Sequence, residues 1–185
     1  MTEDPPSLWN FAVAVYGQPK IATLCLRLQD EHDFDVNLLL WCLWYGEHYG
    51  QIDAALMDRA LEFSRLWQEQ VVAPLRRTRR WLKHQRPAAD HGNGMEELRQ
   101  QVKACELASE RLQLDRLQTL RAVSAPASSG DASNTGDARV DVTGNLTCLQ
   151  QRVAANASLS EQDAASHTLG ELVNHYCQGN SGSAD

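Results

Sequence analysis

Eight consecutive residues, Leu38-Leu39-Leu40-Trp41-Cys42-Leu43-Trp44-Tyr45, leave a helix with no polar face. Such a helix has to be wrapped on every side by other elements. The run is far short of the ~20 residues that span a bilayer, so no membrane span is expected. It predicts the centre of a soluble helical bundle. Asp35 is placed to cap this helix, which is expected to run from Val36 to Tyr45 and to stop at Gly46.

Helical spacing recurs on both sides of it. Ser7 can cap a first helix through Leu8, Phe11, Ala12, Val15 and Tyr16, stopped by Gly17. Pro19 suits the first turn of a second, with Ile21, Leu24, Cys25 and Leu28 on one stripe, ending near His32. Asp53 can cap a fourth through Leu56, Ala60, Phe63, Trp67 and Val71. Pro74 either kinks that helix or starts a fifth, Leu75 to about Gln85. After a turn-rich break at 87–94, Met95 to about Ala122 reads as one long helix with Leu98, Val102, Cys105 and Leu112 on a stripe. The stripe shifts phase toward Leu114, Leu117 and Leu120, leaving too few clean heptads for a coiled coil.

Composition changes beyond that point. Eleven of the twelve aromatic residues lie before residue 87, and residues 124–145 are rich in Ser, Ala, Gly, Asp and Thr. The expected organisation is a helical domain over 7–122, a flexible linker over 123–145 and a polar, weakly helical tail over 146–185. Helical stretches are expected there near 146–155 and 160–177, the second with Ser160 and Asp163 as a capping pair. The fold class is all-α: an irregular bundle of about five short helices plus a long sixth, followed by that linker and tail.

Charge excludes a long-range pull toward phosphate backbones. Lys and Arg number 17 against 24 Asp and Glu, a net charge of -7. Residues 124–185 alone carry 2 basic against 7 acidic residues, a net of -5, so any nucleic-acid role needs a local patch. The five cysteines include no Cys-x-x-Cys, and Cys25 and Cys42 lie in apolar stretches as small buried hydrophobes. A cytoplasmic, reducing location fits, and the Met-Thr-Glu-Asp-Pro-Pro start has acids where a signal peptide needs bases. The sequons at Asn145 and Asn156 are taken as chance.

The segments Leu8-Trp9-Asn10-Phe11-Ala12, Cys25-Leu26-Arg27-Leu28-Gln29-Asp30 and Asp35-Val36-Asn37-Leu38-Leu39-Leu40-Trp41-Cys42-Leu43-Trp44 follow in that order and spacing. Over roughly residues 7–120 the chain resembles a family of small bacterial proteins known only as a domain of unknown function. The resemblance implies a compact helical protein and transfers no catalytic residue. Members often carry Gly in the loop before the Asp-Val-Asn segment, where this chain has Asp33-Phe34.

Four constellations stand out. Asp30, Glu31, His32 and Asp33 form an acidic knot able in principle to hold a divalent cation or to act as acid and base. Capping and turn formation explain the same residues more simply. Two Glu-His dipeptides, Glu31-His32 and Glu47-His48, lack the Glu-x-x-His spacing that puts both ligands on one helix face. The run Arg76, Arg77, Arg79, Arg80, Trp81, Lys83, His84 and Arg86 has six cations and no acid. It is the best local signal for binding an acidic surface or a nucleic acid, although its arginines can also pair with acids such as Glu62 or Glu69. Asn37, in an otherwise apolar helix, needs a hydrogen-bonding partner, for which Asp30 is expected.

Nucleophile elbows, phosphate loops and dinucleotide fingerprints are absent. No cofactor is expected. The function expected is a non-enzymatic interaction or regulatory module with a protein partner, contacted through the basic helix, the long helix or both. The alternatives are a metal-dependent enzyme built on the Asp30–Asp33 knot and nucleic-acid binding through residues 76–86.

Overall fold

The structure, a computed structural model, describes residues 5–85, 94–124, 137–155 and 157–180, with residues 121–124 and 180 described in backbone only. The described residues form helices α1 (Leu8–Tyr16), α2 (Pro19–His32), α3 (Val36–Tyr49), α4 (Ala54–Trp67), α5 (Ala73–His84), α6 (Gly94–Ser124), α7 (Ala138–Val153) and α8 (Leu159–Asn180). A π turn, Gln68–Val72, joins α4 to α5. There is no strand among them.

The expected caps form. The Ser7 hydroxyl accepts from the Asn10 amide at 3.3 Å, Asp35 from Asn37 at 2.9 Å and Asp53 from Leu56 at 2.8 Å. Each satisfies an amide that the first helical turn leaves unpaired. Asp33 ends α2 with φ of 58°, the left-handed region, where Asp is among the few residues besides Gly that are tolerated. At the start of α8 the capping pair is Ser158 with Glu161 rather than Ser160 with Asp163: the Glu161 carboxylate accepts from the Ser158 amide at 2.8 Å. The Ser-x-x-Glu spacing lies two residues before the pair expected from the sequence.

As its composition requires, α3 lies at the centre, with Leu38 to Trp44 all buried. It does not stop at Gly46. It continues to Tyr49, and Gly50, with φ of 87°, ends it. Gly46 has another purpose, because a Cβ built there would lie 2.7 Å from the backbone nitrogen of Val142. The missing side chain lets α7 pack against α3 at backbone distance.

Helices α7 and α8 are therefore part of the core. α7 begins at Ala138, eight residues inside the stretch assigned to the linker; residues 125–136 of that stretch lie outside the described residues. Val142, Leu146 and Leu149 from α7, with Leu169, Leu172, Val173 and Tyr176 from α8, join the same buried cluster as the aromatic-rich helices. α7 runs along α3 and α8 along α2. Their apolar residues are few, which made the segment read as polar, but they fall on one face. Asn145 holds the α3–α4 loop against α7. Its side-chain oxygen accepts from the Ile52 amide at 2.7 Å, and its amide donates to the Gly50 carbonyl at 3.1 Å.

Pro74 stands in the first turn of α5, so of the two expectations the start of a fifth helix holds. Lacking an N–H, it cannot bond the Gln70 carbonyl, and its ring would strike that carbonyl in a regular helix. The wider π turn relieves both problems and passes directly into α5.

α6 divides the expectation. Leu114 and Leu117 of the shifted stripe are buried, but Leu98, Cys105 and Leu112 face outward, and Glu106, Ser109 and Gln113 are buried in their stead. A polar stripe turns inward because α3, α4 and α5 meet it with polar and cationic partners.

Candidate functional site

Those partners form a buried polar cluster. Gln113 is fully enclosed and uses its whole side-chain amide. Its nitrogen donates to the Asp35 carboxylate and to the Ser64 hydroxyl, at 2.5 and 2.8 Å. Its oxygen accepts from Asn37 at 2.8 Å and from Gln68, in the π turn, at 3.3 Å. Ser64 in turn donates to Asp35. One Asp35 oxygen caps α3 while the other receives α4 and α6. Four elements are thus tied at one point, with every donor matched to an acceptor.

Asn37 is buried as expected, but Asp30 is not its partner. Its amide donates to Gln113 and, at 3.3 Å, to the Glu110 carbonyl. The residue lies one position into α3, on the side facing α6, whereas Asp30 belongs to the surface cleft beside α5. Ser64 is buried beside Asp35 and spends its hydroxyl proton on that carboxylate.

Beside this cluster the basic helix divides in two. Arg76 donates to Glu106 and to Glu110, both at 3.0 Å. Arg79 donates to Glu106 at 2.5 Å. The acids that pair with this helix come from α6 rather than from Glu62 or Glu69. Burial pushes the Glu106 carboxyl upward, but hydrogen bonds from Arg79 and Arg76 outweigh it and hold the group below its ordinary range. Glu110 shifts the other way: burial raises it, with Arg76 opposing and Glu106 adding to the rise. Arg77, Arg80, Trp81, Lys83 and His84 remain on the outside. Trp81 is 59% exposed, although Leu82 beside it is buried. Among the described residues, Arg77, Arg80 and Lys83 form no ion pair. Arg86 lies outside the described residues.

The acidic knot does not converge. Glu31 pairs with Arg27 one turn back at 3.1 Å, Asp33 ends α2, and the His32 Nε2 is enclosed without a hydrogen-bonding partner. Asp30 and Asp33 instead line a cleft with Arg76, Arg77 and Arg80. Among the described residues, no group of three His, Cys, Asp or Glu side chains is placed to hold a metal ion. The Glu-His dipeptides stay apart. His48 is packed edge-on against Phe11 and Trp44, and burial lowers its basicity.

A second opening lies over the polar cluster, a groove of about 330 Å³ between α1, α2 and α6. Trp9, Val13, Leu26 and Leu107 form its walls, and Arg76, Arg79, Arg80, Glu106 and Glu110 lie at one end. Sequence reasoning missed this groove, Gln113 and Glu106. Glu106 and Glu110, four residues apart on one helix face, were the available signal for a cationic neighbour.

No helix among the described residues is long and apolar enough to cross a membrane. The family model described as "Protein of unknown function (DUF2390)" matches residues 7–117. That span contains the polar cluster, the Arg–Glu network and the groove, and stops before α7. Neither the curated proteins nor the solved structures provide a match.

Proposed function

Since the chain belongs to this family of proteins of unknown function, which brings no activity with it, we propose that it is a non-enzymatic interaction module. It docks the outer face of α5 onto an acidic patch of a protein partner. One observation carries this reading: Arg76 and Arg79 are consumed by α6, leaving Arg77, Arg80 and Lys83 exposed and unpaired among the described residues on a helix whose Trp81 is also exposed, with Arg77 one turn before the ring and Arg80 next to it. An aromatic ring rimmed by guanidinium groups is the usual composition of an interface hot spot.

Nucleic-acid binding is the second reading, since Trp81 with these cations could stack on a base. It is less favoured because Asp30 and Asp33 share the cleft with Arg77 and Arg80, and the chain as a whole is acidic. A polyanion would meet those carboxylates, whereas a folded partner can place single acids around them. The five free cysteines support a reducing, cytoplasmic setting.

The test is photo-crosslinking from position 81 of the full chain, in cells. A discrete protein adduct is expected, resistant to nuclease and lost in the R77E/K83E variant. An adduct unchanged by that charge reversal, or one that vanishes with nuclease, would overturn the docking proposal.

A further inference from the structure

We propose that the groove between α1, α2 and α6 is a binding site for a small amphiphile with an apolar body and a single carboxylate. This goes beyond the α5 docking face. Three of the protein's exposed large apolar residues, Val13, Leu26 and Leu107, line this one groove. Isolated apolar side chains on a surface need no explanation, but three converging on one concavity do. Trp9 forms the wall beside them and is held in place by Arg111, whose guanidinium lies 5.2 Å from the centre of its ring. Buried Leu40 and Leu114 close the bottom. The volume of about 330 Å³ falls at the small end of the ~300–1,000 Å³ typical of ligand pockets.

The charged end selects the head group. Arg76 and Arg79 already serve Glu106 and Glu110. Arg80, which shares this end of the groove, has no ion pair among the described residues. A single guanidinium fork matches one planar carboxylate. Glu106 and Glu110 stand beside it, so a dianionic phosphate would meet like charge that a monoanion meets only half as strongly. A neutral ligand would leave Arg80 unanswered.

Calorimetric titration of the full chain with 1-naphthylacetate, 1-naphthyl phosphate and 2-(1-naphthyl)ethanol holds the apolar body constant and varies the head. Saturable one-to-one binding of the carboxylate is expected, about tenfold or more tighter than either of the others. R80Q should weaken it about tenfold, Val13→Trp should abolish it by filling the groove, and Lys20→Gln, remote on α2, should leave it unchanged. Val13 is exposed, so its replacement does not threaten folding, and the circular dichroism melt of each variant checks this. Three results would each overturn the site: no saturable binding, equal binding of the alcohol, or indifference to R80Q. Sedimentation adds a fourth. A dimer that Val13→Trp converts to monomer would mean that a second copy covers the groove. The R77E/K83E crosslinking result does not depend on any of these outcomes.

Discussion

Gln113 and Asp35, 78 positions apart, are joined inside the protein by a hydrogen bond from the Gln113 side-chain nitrogen to the carboxylate that caps α3. Helix termination and tertiary packing therefore depend on one another at this point. Replacing Gln113 by Leu takes one donor from Asp35 and Ser64 and one acceptor from Asn37 and Gln68. Such a loss from a buried network should cost about 3 kcal/mol in urea unfolding. Gln113→Glu should do more harm at pH 8 than at pH 5. The introduced carboxyl faces Asp35, so its folded-state pKa is raised, and stability falls as pH climbs above the unfolded value.

Glu106 and Glu110 share Arg76 yet respond to acid in opposite senses. Glu106 is depressed in the fold, so its contribution is complete above the ordinary carboxylate value of 4.5 and is lost as pH falls through the depressed one. Glu110 is raised, so it costs stability as pH rises from 4.5 through its folded value. Thermal melts across the acid range should show E106Q losing part of the wild-type decline at low pH. E110Q should lose a decline on the neutral side. Identical pH profiles for the two variants would contradict the assignment.

Gly46 and the two last helices form a further test. Gly46→Ala drives a methyl into the Val142 backbone and should destabilise by about 1–3 kcal/mol. Ending the chain after Ser124 removes the cover from Gly46 and from the buried face of α2. That product should melt without cooperativity and bind a hydrophobic dye, even though it retains the whole family-matched span. A sharp wild-type-like melt of the truncated chain would show that α7 and α8 are dispensable.

Asp33 offers a change with opposite signs. Its φ of 58° costs an L-residue about 1–2 kcal/mol, less for Asp, and costs Gly nothing. Gly also gains freedom when unfolded, so Asp33→Gly should stabilise by only about 0.5 kcal/mol. Asp33→Val should destabilise by about 1–2 kcal/mol. Urea midpoints of the two variants are expected on either side of wild type.

The helices of the first half were legible because their signals are local. Ser7, Pro19, Asp35 and Asp53 act within one turn, and an all-apolar Leu38–Tyr45 segment has only one place to go. Partnerships across long separations were not legible. Nothing near Asn37 in sequence indicates Gln113, and nothing near Arg79 indicates Glu106. The stripe of Leu98, Cys105 and Leu112 on α6 was read as core by hydropathy alone, yet the inward face is decided by the arginines and by Asp35. The same bias hid the first half of α7, where Val142 and Asn145 lie among polar residues, yet Val142 meets the bare backbone of Gly46 and Asn145 bonds the α3–α4 loop.

The π turn at Gln68–Val72 sets the phase between α4 and α5. One residue rotates a helix by about 100°, and a π turn amounts to one residue inserted into a regular helix. Without it, Arg76 and Arg79 would swing away from Glu106, and the α5 face carrying Trp81 would rotate by the same angle. Deleting Gln70 from this turn would thus rotate the basic helix by about 100°, taking Arg76 and Arg79 out of line with Glu106 while keeping every charge in the chain.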